Sequence, residues 1–222
     1  EHQLTEDGVE HYSYGRGSYG GETNVDKEKN KDKRKPVSIV WSHDGTKFAM
    51  TRSDERKVKD FWVINHVADP RPTLQTYKYT MPGEEEAPIQ EILVFDFPNK
   101  EMTKMESDRF EDQSLRLLYA PRKLENRDDK WSHWLSKDPA KLYFTRTSRD
   151  LKRIDLCVAN TETGEVSTLI EERLNTYVET KPLRLINNES EIVWWSERTG
   201  WGHYYLYDTE GNLKNQITSG PF

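Results

Sequence analysis

The chain has 222 residues, 33% apolar, 32% charged and 11% aromatic, with a formal net charge of −6. That length suits one or two domains, and a phosphate backbone is a poor partner for such an acidic balance. Seven Trp and eleven Tyr exclude a disordered chain, and no apolar run reaches the ~18 residues of a membrane span.

Residues 3–8, QLTEDG, echo residues 216–220, QITSG. Both read as the last strand of a repeat and the turn leaving it, so the chain is expected to begin and end at repeat boundaries. Residues 9–36 carry no regular pattern. Residues 12–21 are Gly-rich, and Lys27, Lys29, Lys31, Lys33, Arg34 and Lys35 are interleaved with Asp26, Glu28 and Asp32. This predicts an exposed loop, with a basic contact site as the sharper alternative.

Residues 37–52, VSIVWSHDGTKFAMTR, organise the rest. Val37, Ile39 and Trp41 alternate along one strand. Asp44-Gly45 is a strong turn signal, because Gly accepts positive φ without a Cβ clash. A second strand follows with Phe48 and Met50 on one face. The pattern returns at residues 134–146, with Ser136 for Ser42, Asp138 for Asp44 and Lys141 for Lys47, and more weakly at residues 185–196. The registers differ by 94 and 50 positions. Roughly 40–50 residues per repeat is a propeller-blade period. The first interval, about twice that, must hold an insertion or another blade.

Residues 53–88 are that excursion: alternating aromatics predict an inserted strand, and Glu84-Glu85-Glu86 between prolines predicts a solvated loop rather than a metal site. A second type of hairpin then occurs three times, at residues 90–105, 154–170 and 204–217, with turns around Asn99, Gly164 and Gly211. Two hairpins per repeat make the four strands of a blade. The expected fold is all-β, a partial β-propeller of about three to four four-stranded antiparallel blades, with one face of each strand toward water. The expected organisation is the end of a preceding blade plus loop at 1–36, a blade at 37–105 with its excursion 53–88, an inter-blade segment or degraded blade at 106–130, and blades at 131–170 and 183–222. Three or four blades do not close a ring, so an isolated piece is expected to be marginally stable, to self-associate through bare faces, or to need further blades.

Several residues invite chemical readings. Gly15, Gly17 and Gly20 fit G-x-G-x-x-G, but a dinucleotide site needs a buried strand before it and an amphipathic helix after it, and Asp26-Lys27-Glu28-Lys29 follows. Ser18 is not a nucleophile-elbow serine, because Arg16 stands where the tight turn needs Gly. The histidines, His2, His11, His43, His66, His133 and His203, lack metal-ligand spacing. The lone Cys157 in a strand reads as a small buried apolar residue. No catalytic, metal or cofactor residue is assigned, no cofactor is expected, and the substrate-binding residues stay unassigned. The most distinctive stretch is residues 194–207, WWSERTGWGHYYLY. It predicts a hairpin whose tip carries a Glu197–Arg198 ion pair, with Trp201 and His203 packed at the blade end; a tip lining a central channel is the functional alternative.

This stretch resembles the blade signature of the N-terminal β-propeller of dipeptidyl peptidase IV-like serine peptidases, in the prolyl oligopeptidase clan. Residues 40–49 are similar to that family's W-S-P-D-G hairpin, residues 71–84 to its R-Y-P-K-A-G excursion, and residues 148–156 to its S-R-D-Q-K-x-x-D-L strand. The resemblance implies a propeller that caps an α/β-hydrolase domain and restricts access to short or unstructured peptides. The family's Ser, Asp and His lie in that later domain, so the chain is expected to be a non-catalytic part, with the hydrolase domain of the same parent and a peptide substrate as partners and a periplasmic or secreted location. The family's dipeptidyl peptidases also carry a Glu pair, in a D-W-x-Y-E-E-E context, that holds the substrate ammonium. Residues 9–36 lack this motif, and the role does not pass to Glu22 or Glu28. The alternative is a stand-alone propeller acting as a binding or scaffold module.

Overall fold

The computed structural model describes residues 3–15, 37–121 and 132–221. Every regular element among them is an antiparallel strand, as expected for an all-β partial propeller. The chain forms two compact units, residues 1–38 with 51–90, and residues 39–50 with 91–222.

In the first unit, β1 (Tyr12–Tyr14) pairs with the second half of β3 (Lys47–Asp54), Tyr14 opposite Arg52. Residues 3–8, expected as a strand, are irregular. They are tied down through Asp7, whose carboxylate takes the Tyr14 hydroxyl and the Arg52 guanidinium, the latter at 3.2 Å. The strand expected from Val37 is likewise shortened, because Ser38 N–H donates to Gly15 O at 2.9 Å instead of joining a ladder. The excursion is not one strand but a ribbon of two, β4 (Asp60–Asn65) and β5 (Thr73–Lys78), with Asp60 opposite Lys78. Phe61 packs edge-on against Tyr77 at 5.6 Å, while Trp62 and Ile64 on the other face are more than half exposed.

The second unit is built from sheets. β2 (Val40–Trp41) pairs with the start of β3, and β6 (Ile89–Asp96) pairs with β7 (Glu101–Lys104). The next sheet runs β8 (Ser114–Leu117), β9 (Lys141–Thr147), β10 (Arg153–Asn160), β11 (Val166–Arg173) in the order β11-β10-β9-β8. The third holds β12 (Arg184–Ile186), β13 (Glu191–Ser196), β14 (His203–Asp208) and β15 (Leu213–Gln216) in sequence order. The segment 106–130, expected between blades, therefore supplies β8. Alternating burial in β8 (Leu115 and Leu117 in, Ser114 and Arg116 out) fits a four-residue edge strand.

The middle sheet is covered on both faces, unlike the half-wet strands expected from composition. Leu142, Phe144, Cys157 and Ala159 pack with Val40, Ala49, Ile92, Val94 and Met105 on one side. Tyr143, Ile154 and Leu156 pack with Ile192, Trp194, Tyr205 and Tyr207 on the other. Each fully buried large side chain contributes about 1.5–3 kcal/mol, so these two layers dominate the unit's stability.

Turn chemistry recurs. Ser42 Oγ donates to Asp44 Oδ1 at 2.6 Å, and Asp44 accepts from Thr46 N at 3.1 Å. Ser136 and Asp138 keep part of the device: Ala140 N donates to Asp138 Oδ1 at 2.9 Å, but Ser136 Oγ accepts from Asp138 N at 3.1 Å and donates to Glu189 Oε2 at 2.7 Å. Ser148 and Asp150 use it again between β9 and β10. Two turn glycines set the sheet spacing. A Cβ on Gly164, at φ +84, would lie 2.6 Å from Lys104 O, and one on Gly211, at φ +90, would lie 2.1 Å from Leu169 O. Leu169 is the unpaired residue of a bulge, since Leu156 pairs with Ile170 and Cys157 with Thr168. Backbone thus rests on backbone at both places, which only glycine permits.

Candidate functional site

A pocket of about 340 Å³ opens within the second unit, beside the first strands of the middle and third sheets. Arg116 to Tyr119 form one wall and Thr180 to Arg184 the other, with Leu135, Thr145 and Trp194 completing it. Pairing of β8 with β9 sets Arg116 opposite Thr145. Because side chains alternate along a strand, Arg116 and Leu118 stand on the face opposite Leu115 and Leu117, and Leu118 packs against the layer that includes Trp194. Leu135, Leu183 and Trp194 are buried and, with half-buried Leu118, line apolar walls. Arg116, Lys181 and Arg184 are exposed at the rim. No carboxylate lines the pocket. Arg184 donates to Leu183 O at 3.1 Å, and neither Arg116 nor Arg184 has an ion-pair partner among the described residues. Lys181 stands 5.1 Å over the Trp195 ring and 3.5 Å from Glu179.

Two buried carboxylates hold the walls. Glu172, on β11, accepts from Trp194 Nε1 at 3.1 Å and Ser196 Oγ at 2.9 Å, and pairs with the Arg198 guanidinium. This fixes the indole that lines the pocket. Burial, the largest single influence, would lower the Arg198 pKa, but the Glu172 charge, Tyr207 and the hydrogen bonds to both together outweigh it and the net shift is upward. Asp155, fully buried on β10, lies 2.8 Å from Arg146 Nε, 2.6 Å from an Arg173 nitrogen and 3.5 Å from an Arg109 nitrogen. The Phe110 ring sits beside the same guanidiniums, 5.3 Å from that of Arg173 and 5.9 Å from those of Arg109 and Arg146, and also 4.8 Å from that of Arg153. This network cross-links β9, β10 and β11 behind the pocket wall.

The tip of residues 194–207 differs from expectation. Arg198 pairs with Glu172 of the neighbouring sheet, not with Glu197, because the Ser196-to-Arg198 turn aims the guanidinium across the sheets, Arg198 Nε donating to Ser196 Oγ at 2.9 Å. Trp201 is 49% exposed rather than packed, whereas His203 is buried. A Cβ on Gly202 would lie 2.6 Å from the Trp195 ring, so a larger residue there would have to displace that ring. His43 and His133, distant in sequence, stack with centroids 5.0 Å apart. Burial pushes the Cys157 thiol up to about 11. Glu84 accepts from Met81 N at 2.9 Å and pairs with Lys59 at 3.2 Å, while Glu85 and Glu86 are exposed. Among the described residues no three His, Cys, Asp or Glu side chains could hold a metal ion. No helix among the described residues is long and apolar enough to cross a membrane. Gly15 follows β1, buried and at φ +62; Gly17, Ser18, Gly20, Glu22, Glu28 and the lysine run lie outside the described residues.

The pocket left no sequence signal, because its cations come from two sheets and each looks like an ordinary exposed charge. Only the alternation of residues 114–117 could have suggested that Arg116 leaves the core.

Residues 27–222 match the family described as the dipeptidyl peptidase IV (DPP IV) N-terminal region. The fold is similar to that of Porphyromonas gingivalis dipeptidyl peptidase 4, with TM-score 0.72 and 19% identity over 98% of this chain and 28% of that one. It is also similar to a protein described as a dipeptidyl aminopeptidase IV of Bacteroides ovatus, with TM-score 0.67 and 20% identity over 95% of this chain and 26% of that one. The chain thus spans about a quarter of the length of either structure.

Proposed function

Since the chain belongs to the dipeptidyl peptidase IV N-terminal region family, we propose that it is the non-catalytic blade region of a serine exopeptidase, admitting short or unstructured peptides and positioning them for an α/β-hydrolase domain of the same parent protein. The family match over residues 27–222 carries this reading. The pocket beside β8 and β12 supports it, because both strands stand at the edges of their sheets, where an extended chain can lie. The compartment that goes with this role is the periplasm or the exterior.

The cleavage register is a separate matter. The described part of residues 9–36 has one glutamate, Glu10, an exposed side chain 3.6 Å from His11, so no glutamate pair for a substrate ammonium is proposed there. The test is cleavage of Xaa-Pro and Xaa-Ala chromogenic dipeptides by the whole protein, with free and blocked N-termini. Cleavage of free but not blocked substrates is the expected result. Equal cleavage of both removes the exopeptidase role, and no cleavage of either favours a stand-alone binding module.

A further inference from the structure

We propose that the pocket between β8 and residues 180–184 is a binding site for a carboxylate-bearing peptide segment, with Arg116 and Arg184 as the recognising cations. The inference rests on the proposed function only in taking the ligand to be a peptide.

Charge is the first argument. The protein carries a net −6, yet the pocket is lined by Arg116, Lys181 and Arg184 and by no acidic side chain. Cations gathered at one opening of an acidic protein attract anions there and repel them elsewhere. Among the described residues neither arginine is neutralised by an ion pair, unlike Arg146, Arg173 and Arg198, each of which meets a buried carboxylate. A planar guanidinium with free donors matches a carboxylate geometrically.

Shape is the second. A volume of about 340 Å³ lies at the small end of ligand pockets, about 300–1,000 Å³. The walls below the cations are leucine and indole, which suit an apolar side chain next to the charge. β8 and β12 are both edge strands of their sheets, and an extended peptide can pair with such edges while its side chains alternate into pockets. The indole of Trp194 is held by Glu172, so that wall is set before a ligand arrives and less ordering opposes binding.

The carboxylate can come from a glutamate or aspartate side chain or from a C-terminus, and the experiment separates them. The probes are three short peptides with acetylated N-termini: one with a single glutamate and an amidated end, the same with glutamine for glutamate, and the glutamine form with a free C-terminal carboxylate. Affinities are measured by calorimetry on the whole protein after treatment with a serine-directed phosphonate, which prevents turnover. The phosphonate labelling reports independently whether a serine hydrolase domain is attached, so that reading can fail while this one stands.

Either charged peptide should bind about three- to tenfold tighter than the neutral one at low salt, the range for partly screened ion pairs, and the preference should shrink as salt rises. The Arg116→Gln/Arg184→Gln double variant should lose the preference yet bind the neutral peptide within about twofold of the parent. Its circular dichroism and melting temperature should match the parent, because both side chains are exposed. Arg184→Lys should retain part of the preference. Three results overturn the proposal: no binding by any peptide, equal affinity for all three, or a preference that survives in a folded double variant.

Discussion

Asp155→Asn is the substitution whose cost follows most directly from the structure. The carboxylate has no exposed surface and meets three guanidiniums. Its partners differ in burial: the Arg146 side chain is 5% exposed, those of Arg173 and Arg109 33% and 39%. Removing one charge of a buried pair costs about 3–5 kcal/mol, since the other is left uncompensated. The two partly exposed pairs, screened by water, add at most about 1 kcal/mol each. Asparagine keeps the volume, so no cavity contributes, but its amide turns donors toward donors. A domain-sized protein of this length loses about 2–4 °C per kcal/mol, so a total of about 3–7 kcal/mol puts the melting temperature about 6–28 °C lower. Differential scanning calorimetry of parent and variant measures it, with Arg109→Gln as the internal comparison, expected to cost about 1 kcal/mol or less. If Asp155→Asn melts within about 2 °C of the parent, the claim that this network cross-links β9, β10 and β11 is wrong.

Other outcomes follow from the turns, the thiol and the decoys. Gly211→Ala should cost about 2–4 kcal/mol, from positive φ plus the clash with Leu169 O, whereas Gly45→Ala, at φ +72 with open space around it, should cost about 1–2 kcal/mol; denaturant titration ranks them. The Asp44 carboxyl is held below its ordinary 3.8, chiefly by the Ser42 hydroxyl. Its contribution is therefore present above about pH 4 and lost as pH falls through the lower folded value, and Asp44→Asn should flatten the acid limb of a melting-temperature profile. Cys157, with its pKa pushed up to about 11, should resist a thiol reagent near pH 8 until denaturant is added; fast labelling of folded protein would contradict its burial. A serine-directed phosphonate should leave Ser18 unmodified, as peptide mapping would show.

Hairpin after hairpin was legible because its determinants are local. Asp44-Gly45, Gly164 and Gly211 mark turns through backbone sterics, and the Ser-x-Asp spacing at Ser42 and Ser148 writes the same hydroxyl-to-carboxylate bond, while at Ser136 the serine oxygen still bonds its aspartate but through the Asp138 N–H. What stayed hidden depends on a neighbouring sheet. Arg198 next to Glu197 looked like a pair at a tip, but the stronger partner, Glu172, stands on β11 in a low-dielectric layer. The two-faced burial of β9 and β10 was masked by Tyr143, Thr145 and Asp155, polar groups that a half-wet strand would also carry. Arg116 and Arg184 meet at one opening only because residues 114–117 join β9, a pairing that four residues of weak alternation do not announce.

Gly164 and Gly211 leave these sheets no slack where the backbones touch, whereas beside β8 and β12 there is unfilled room. Tolerance to change is therefore unevenly distributed. A lineage could swap the charges at positions 116, 181 and 184 and alter what the opening accepts without disturbing the stack, while a single methyl group at either glycine would force the layers apart.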